Sequence, residues 1–137
     1  MLDNPKTLPY EVQACKILAH LIRKVEKLHP DVRIWVGTLR ISLSITSDVM
    51  VDVIPVYHKF PAAYADAYGM QATYLELTEV SVQVHPLAYS VVGNSKKDLD
   101  FAYSIYLILE GIKEEMGIPR INCYTSPSFI PSSSLVE

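Results

Sequence analysis

Thr73-Tyr-Leu-Glu-Leu-Thr-Glu-Val-Ser-Val-Gln-Val-His-Pro-Leu-Ala-Tyr-Ser-Val-Val92 is a long β-type run, and Gly93-Asn-Ser-Lys-Lys97 leads from it into an amphipathic segment that stops at Met116-Gly-Ile-Pro119. Leu75 and Leu77 occupy odd positions, whereas Val80, Val82 and Val84 occupy even ones. Successive side chains of a strand point to opposite faces. The phase therefore slips at Thr78-Glu79, which is the mark of a β-bulge. His85-Pro86 ends the strand, bends it or places it at an edge, because proline cannot donate to a ladder. Residues 73–85 are expected to form one long bulged strand, with 87–92 as its continuation or a short strand of its own. Asn94 or Ser95 can cap the helix that follows, and Asp98 in its first turn suits the helix dipole. Leu99, Ala102, Tyr103, Tyr106, Leu107, Leu109, Ile112 and Met116 are expected on its apolar side. Gly117, with Ile118 and Pro119 behind it, reads as a Schellman-type stop.

Working outward, Thr7-Leu8-Pro9 is a helix-start signal, since threonine caps and proline is tolerated in the first turn. From Pro9 to about His29 the residues Val12, Cys15, Leu18, Ala19, Leu21, Ile22, Val25 and Leu28 recur at spacings of three and four, an apolar helical stripe. His29-Pro30 ends it, because the residue before proline is pushed out of the α region. Ile34-Trp35-Val36 reads as a short strand and Gly37-Thr38 as a turn or bulge. Leu39, Ile41, Leu43 and Ile45 then alternate with polar residues, and Val49, Val51 and Val53 alternate with Met50, Asp52 and Ile54 before Pro55. With Thr46-Ser47-Asp48 between them, these two runs predict a hairpin. Residues 57–72 break both periods and read as an irregular insert, in which a short helix from Pro61 to Tyr68 would align Phe60, Tyr64 and Tyr68 on one face. Ile121–Thr125 can form a short edge strand.

Strands in a run between two helices, without βαβ alternation, define an α+β fold. The expectation is an antiparallel sheet of about four to five strands with two helices, about 9–29 and 95–116, packed on one face. Residues 1–125 form a single domain in this reading. Residues 126–137 form a Pro/Ser-rich tail, extended and ordered against a partner.

The chain has 137 residues, 50% of them hydrophobic and 20% charged, which suffices for a real core. The net charge is −3 and the basic residues are scattered, so no basic footprint for nucleic acid is present. No apolar stretch approaches the roughly 20 residues that cross a bilayer, and Met-Leu-Asp-Asn-Pro lacks the pattern of a signal peptide. A cytoplasmic protein with reduced thiols is expected. The mean hydropathy of +0.18 is high for such a chain and points to apolar surface that partners cover.

No residue cluster announces a reaction. His20, His29, His58 and His85 fall in different elements without metal-ligand spacing, and neither metal nor cofactor is expected. Cys15 reads as a core cysteine on the first helix, and Cys123 has no nucleophile-activating partner in the sequence. The glycines form no phosphate loop and no serine lies in a nucleophile elbow. Glu76 and Glu79 flank the bulge, and Asp48 and Asp52 bracket a strand start. Paired acids can do acid–base work when burial separates their pKa values, but water or cross-strand cations are the simpler partners for these. Tyr64, Tyr68, Tyr103 and Tyr106 could line a pocket or supply contact area to a neighbouring subunit.

The order of elements, and above all Leu75–Val84 followed by Lys97–Gly117, resembles the tail terminator (tail completion) proteins of tailed phages. The resemblance implies a non-enzymatic, ring-forming homo-oligomer, commonly a hexamer, that caps a tail tube and joins it to the head. Its partners would be other copies, tail-tube proteins and head-completion proteins, its location the virion, and its contact with nucleic acid limited to DNA passing through the ring. No catalytic residue comes with the resemblance. Tyr57, Phe60, Tyr64, Tyr68, Tyr124, Phe129 and Ile130 are the candidate interface residues. A small-molecule-binding α+β domain and a small enzyme with an unrecognised site remain the alternatives.

Overall fold

The computed structural model describes residues 9–61, 73–87 and 96–125. Element order is α1 (Pro9–Leu28), β1 (Arg33–Gly37), β2 (Arg40–Ser44), β3 (Val49–Pro61), β4 (Thr73–Pro86), α2 (Lys96–Met116) and β5 (Ile121–Thr125). The five strands form one sheet in the order β1-β2-β3-β4-β5. The first three pairings are antiparallel and β4 pairs β5 in parallel, so the sheet is mixed rather than wholly antiparallel. The reversal follows from connectivity. The chain leaves β4, runs back through α2 and enters β5 in the same direction, as parallel neighbours require.

Cross-strand partners share a face. Ile41, Val53 and Val82 are one such row, Leu43, Val51 and Val84 the next, and all but Val84 are fully enclosed. Against them lie Ile17, Leu21 and Val25 of α1 and Phe101, Ile105, Leu109 and Ile112 of α2. The opposite face of the sheet carries Ser42, Asp52, Ser81 and Gln83, the alternation of a sheet covered on one side.

Both helices are rotated from their expected seating. The buried line of α1 is Ala14, Ile17, Leu18, Leu21 and Val25. Cys15 is exposed and is not a core cysteine, and Ala19 and Leu28 are exposed as well. In α2 the buried residues are Asp98, Phe101, Ile105, Ile108, Leu109 and Ile112, whereas Tyr103 is 61% and Leu107 49% exposed. The large hydrophobes Ile17, Phe101 and Ile105 dominate the choice of face, since each buries far more apolar area than a cysteine or alanine. Tyr103 keeps its hydroxyl near water and stacks on Tyr106 at 6.3 Å.

The bulge sits where the phase slip places it. Val56 faces Glu79 and Tyr57 faces Leu77, so Thr78 is the unpaired residue, and its hydroxyl donates to the Val56 carbonyl at 3.2 Å. The Schellman stop is also present. Gly117 has φ +68, its N–H donates to the Glu114 carbonyl, and the Ile118 N–H donates to the Lys113 carbonyl.

β3 does not end at Pro55. It continues to Pro61, paired to β4 throughout, so Tyr57 and Phe60 belong to a strand and not to an insert. Proline fits there for a specific reason. Val80, opposite Pro55, gives its N–H to the Arg120 carbonyl on the β5 side. The 55–80 pair is therefore a non-hydrogen-bonded one, and the donor that proline lacks would point away from β4, beyond the last β2 pairing at Val53. The expected short helix from Pro61 to Tyr68, the separate strand 87–92 and the tail 126–137 lie outside the described residues, apart from their ends at Pro61 and Leu87.

Candidate functional site

The helix-free sheet face gathers two buried carboxylates. Asp52, 7% exposed at the centre of β3, accepts from the Arg40 guanidinium at 2.9 Å and from the Ser42 hydroxyl at 2.6 Å. His85 Nε2 lies 3.3 Å from the same carboxylate. Glu79, 9% exposed, follows the bulge and accepts from Arg120 at 3.2 Å, Asn122 at 2.8 Å and the Tyr124 hydroxyl at 3.0 Å. One carboxylate thus ties β2 to β3 and β4, and the other ties β4 to β5. Both have the cross-strand cations that the sequence made the simpler expectation. Among the described residues no buried side-chain polar atom lacks a hydrogen-bond partner. Three groups are held around each acid. Asp48 and Glu76 are exposed and join neither cluster.

Five further features carry the remaining candidates. Tyr57 lies on the helix side, donates to Gln13 Oε1 at 2.9 Å and meets the Tyr10 ring edge-on at 5.4 Å. Burial, and after it the neighbouring Cys15 thiol, pushes its pKa up to about 12. Phe60 stacks on the exposed Tyr74 at 5.7 Å across β3 and β4. Tyr106 is raised above the usual tyrosine value by its hydrogen bond to Glu110. Burial likewise raises the Cys123 thiol. His29 bonds to Ser104 at 3.0 Å and packs edge-on against Phe101, joining the end of α1 to α2. Among the described residues no group of three His, Cys, Asp or Glu side chains could hold a metal ion, and no helix is long and apolar enough to cross a membrane.

The interface candidates therefore divide. Tyr57 is half-buried against α1, Phe60 and Tyr124 are accessible on the helix-free face, and Tyr64, Tyr68, Phe129 and Ile130 lie outside the described residues. Sequence reasoning missed two residues. Trp35 is 48% and Val36 73% exposed, both on edge strand β1. Three consecutive hydrophobes, Ile34-Trp35-Val36, on a five-residue strand were the signal, since a one-sided edge should alternate. A groove of about 730 Å³ also opens between α1 and α2, with Leu107 and Ile108 on its α2 side and His20, Arg23, Lys24, Glu26 and Lys27 on its α1 side, where three cations outnumber one carboxylate. Neither Tyr103 nor Tyr106 lines it.

β3 and β4 project beyond the rest of the sheet. β2 pairs no further along β3 than Val53, and β5 reaches β4 only from Val80 onward. Residues 56–61 and 73–79 are therefore a two-stranded ribbon whose outer edges meet no other described strand. Comparison with family models, curated proteins and solved structures returned no match to this chain.

Proposed function

We propose that this chain is a non-enzymatic structural protein that assembles with copies of itself into a ring-like homo-oligomer. The projecting β3–β4 ribbon carries this reading. A two-stranded ribbon that nothing covers is marginal in water; the base of this one packs Tyr57 and Leu77 against the helix layer, while its far end carries the stacked Phe60–Tyr74 pair, with the bulge setting its direction. Such an arm gains most from resting on a neighbour. The exposed Trp35, Val36, Tyr103, Leu107 and Tyr124 add contact area on other sides. Against an enzyme stands the occupancy of Asp52 and Glu79, the two buried carboxylates of this face, whose donors hold strands together. The sharper form of the proposal is a phage tail terminator. It would be a hexameric virion ring that caps the tail tube, joins it to the head through tail-tube and head-completion proteins, and passes DNA through its centre.

Sedimentation velocity and native mass spectrometry at micromolar protein test the assembly. A discrete oligomer, ring-shaped by negative-stain microscopy, is the expected result, and a strict monomer overturns the proposal. A second reading, a small-molecule-binding domain, is favoured by the α1–α2 groove with its apolar α2 side and net cationic α1 side. Anionic amphiphiles that raise the melting temperature of the native chain but not of Leu107→Asp would support it.

A further inference from the structure

The two outermost strands of the sheet, β1 and β5, match each other in length, face and hydrogen-bond parity. Each has five residues, and each has only one neighbour among the described strands. The register links them row by row. Val36, Ile41, Val53, Val82 and Cys123 form one row on the helix-covered side, and Trp35, Ser42, Asp52, Gln83 and Tyr124 form the adjacent row on the other side.

Backbone direction follows from one bond. The Val80 N–H points to β5, where it meets the Arg120 carbonyl. Alternation along each strand, carried through the register, sends residues 52 and 54 toward β4, 51 and 53 toward β2, 41 and 43 toward β3, and 33, 35 and 37 toward β2. The N–H and C=O groups of β1 that point away from every other described strand are therefore those of Ile34 and Val36. By the same alternation those of β5 belong to Ile121, Cys123 and Thr125. On both edges the outward-directed residues lie in rows on the helix-covered face.

Edge strands of L-residues that run in opposite directions always share this parity and face, so the two edges can extend one sheet with the helix layers on the same side. What singles these edges out is the apolar surface they leave exposed at Trp35, Val36 and Tyr124. β1 runs opposite to β5 within the sheet, so equivalent copies placed side by side bring the two edges together antiparallel. In the unshifted register Val36 meets Cys123 of the next copy, Ile34 meets Thr125, and Trp35 meets Tyr124. The last is an aromatic cross-strand pair, of a kind that stabilises sheets beyond area burial. β1 carries one charge, Arg33 at its start, and no lysine or proline among its five residues, so it has few of the devices that natural edges use against pairing.

We infer that β1 of one copy pairs antiparallel with β5 of the next, joining the sheets head to tail, the contact between two different edges that builds a ring when the rotation between copies closes. This inference rests on the homo-oligomer reading and specifies its contact. A two-fold β1–β1 pairing would leave β5 open and stop at two copies.

Disulfide trapping in the full chain tests it. In Cys15→Ser/Val36→Cys, with Cys123 retained, oxidation at mildly alkaline pH should give a ladder on non-reducing gels, with peptide mapping showing the 36–123 link between copies. The separation expected for facing strand residues lies within disulfide range. Adding Cys123→Ser should abolish the ladder. An oligomer by native mass spectrometry without the 36–123 link overturns this contact and leaves the homo-oligomer reading standing. A 36–36 link surviving Cys123→Ser overturns it in favour of two-fold pairing, and a monomer overturns both. A second variant needs no new thiol. Val36→Pro removes an outward-facing donor that no described group uses, and should weaken association about tenfold or more with the monomer's circular dichroism unchanged. Association equal to wild type would overturn the contact. Trp35 is the chain's single tryptophan, so its emission should shift to shorter wavelength on assembly of the native chain and fail to shift in Val36→Pro.

Discussion

At the scale of single residues, Glu79 shows how a sequence irregularity becomes a structural tie. The extra residue Thr78 lets Leu77 face the helices while Glu79, two positions on, faces away from them. There the carboxylate collects Arg120, Asn122 and Tyr124. Arg120 is 66% exposed, so screening makes its share small. The other two bonds are to a charged acceptor, worth roughly 1.5–3 kcal/mol each where burial is complete. Glu79→Gln should cost about 1 kcal/mol and Glu79→Ala about 2–3 kcal/mol in urea unfolding, with faster amide exchange confined to β5. An Ala variant as stable as wild type would show that the strand pairing alone holds β5. Tyr57 gives a pH-dependent counterpart. Its folded pKa of about 12 exceeds the usual 10, so the folded state keeps a proton that the unfolded state loses first. Its contribution is whole below pH 10 and declines as pH rises from 10 toward 12. Two pH units correspond to about 2.7 kcal/mol, and screening of this half-exposed ring reduces that to about 1 kcal/mol. Tyr57→Phe should therefore lose less stability than wild type between pH 10 and pH 12 in chemical denaturation. Parallel curves would remove the tyrosine from the alkaline transition.

At the scale of elements, α2 separates legible from illegible sequence. Its end was readable because Gly117-Ile118-Pro119 permits few other conformations: only a left-handed residue makes the two closing bonds, and glycine takes that conformation without strain. Asp98 stands in its first turn as expected, and the capping candidates Asn94 and Ser95 lie outside the described residues. Its inner face was not readable, because Phe101, Tyr103, Ile105, Tyr106, Leu107, Ile108 and Leu109 surround the whole circumference and periodicity cannot choose among them. Packing against the sheet chose Phe101, Ile105, Ile108 and Leu109. Leu109 and Leu107, two residues apart, should consequently respond differently. Leu109→Ala should cost about 2–5 kcal/mol through lost burial and a cavity, whereas Leu107→Ala, at a half-exposed position, should cost less than about 1 kcal/mol. Equal losses in guanidinium unfolding would mean that another layer covers Leu107. β3 was misread for a different reason. Proline marks the end of a central strand, but at residue 55 the donor it lacks would face past the last β2 pairing at Val53 rather than toward β4, and that depends on where β2 stops. The edge residues Trp35 and Val36 were hidden similarly, since a strand's place in the sheet is fixed by partners distant in sequence. The bulge needed only local phase, and it was found.

At the scale of the whole molecule, the question is which force would hold copies together. The net charge is −3 with cations and anions dispersed, so long-range self-repulsion is weak and neither edge presents a field of one sign. Edge-to-edge pairing instead joins backbone donors to acceptors and covers Trp35, Val36 and Tyr124, which are hydrophobic and exposed in a single copy. Such contacts are almost indifferent to ionic strength, whereas contacts between the net cationic α1 side of the groove and acidic surfaces would weaken as the Debye length shortens from about 14 Å to about 4 Å. Raising NaCl from about 50 mM to about 500 mM should therefore change the association constant by less than about threefold, as read by sedimentation equilibrium. Linkage adds a second, independent readout. A folded state that binds its own copies and an unfolded state that does not will melt higher as protein concentration rises, and this dependence should persist undiminished at the higher salt. If the concentration dependence of melting disappears in high salt, the copies meet through charged surfaces. The groove between α1 and α2, rather than the β1 and β5 edges, would then be the place to look for the contact.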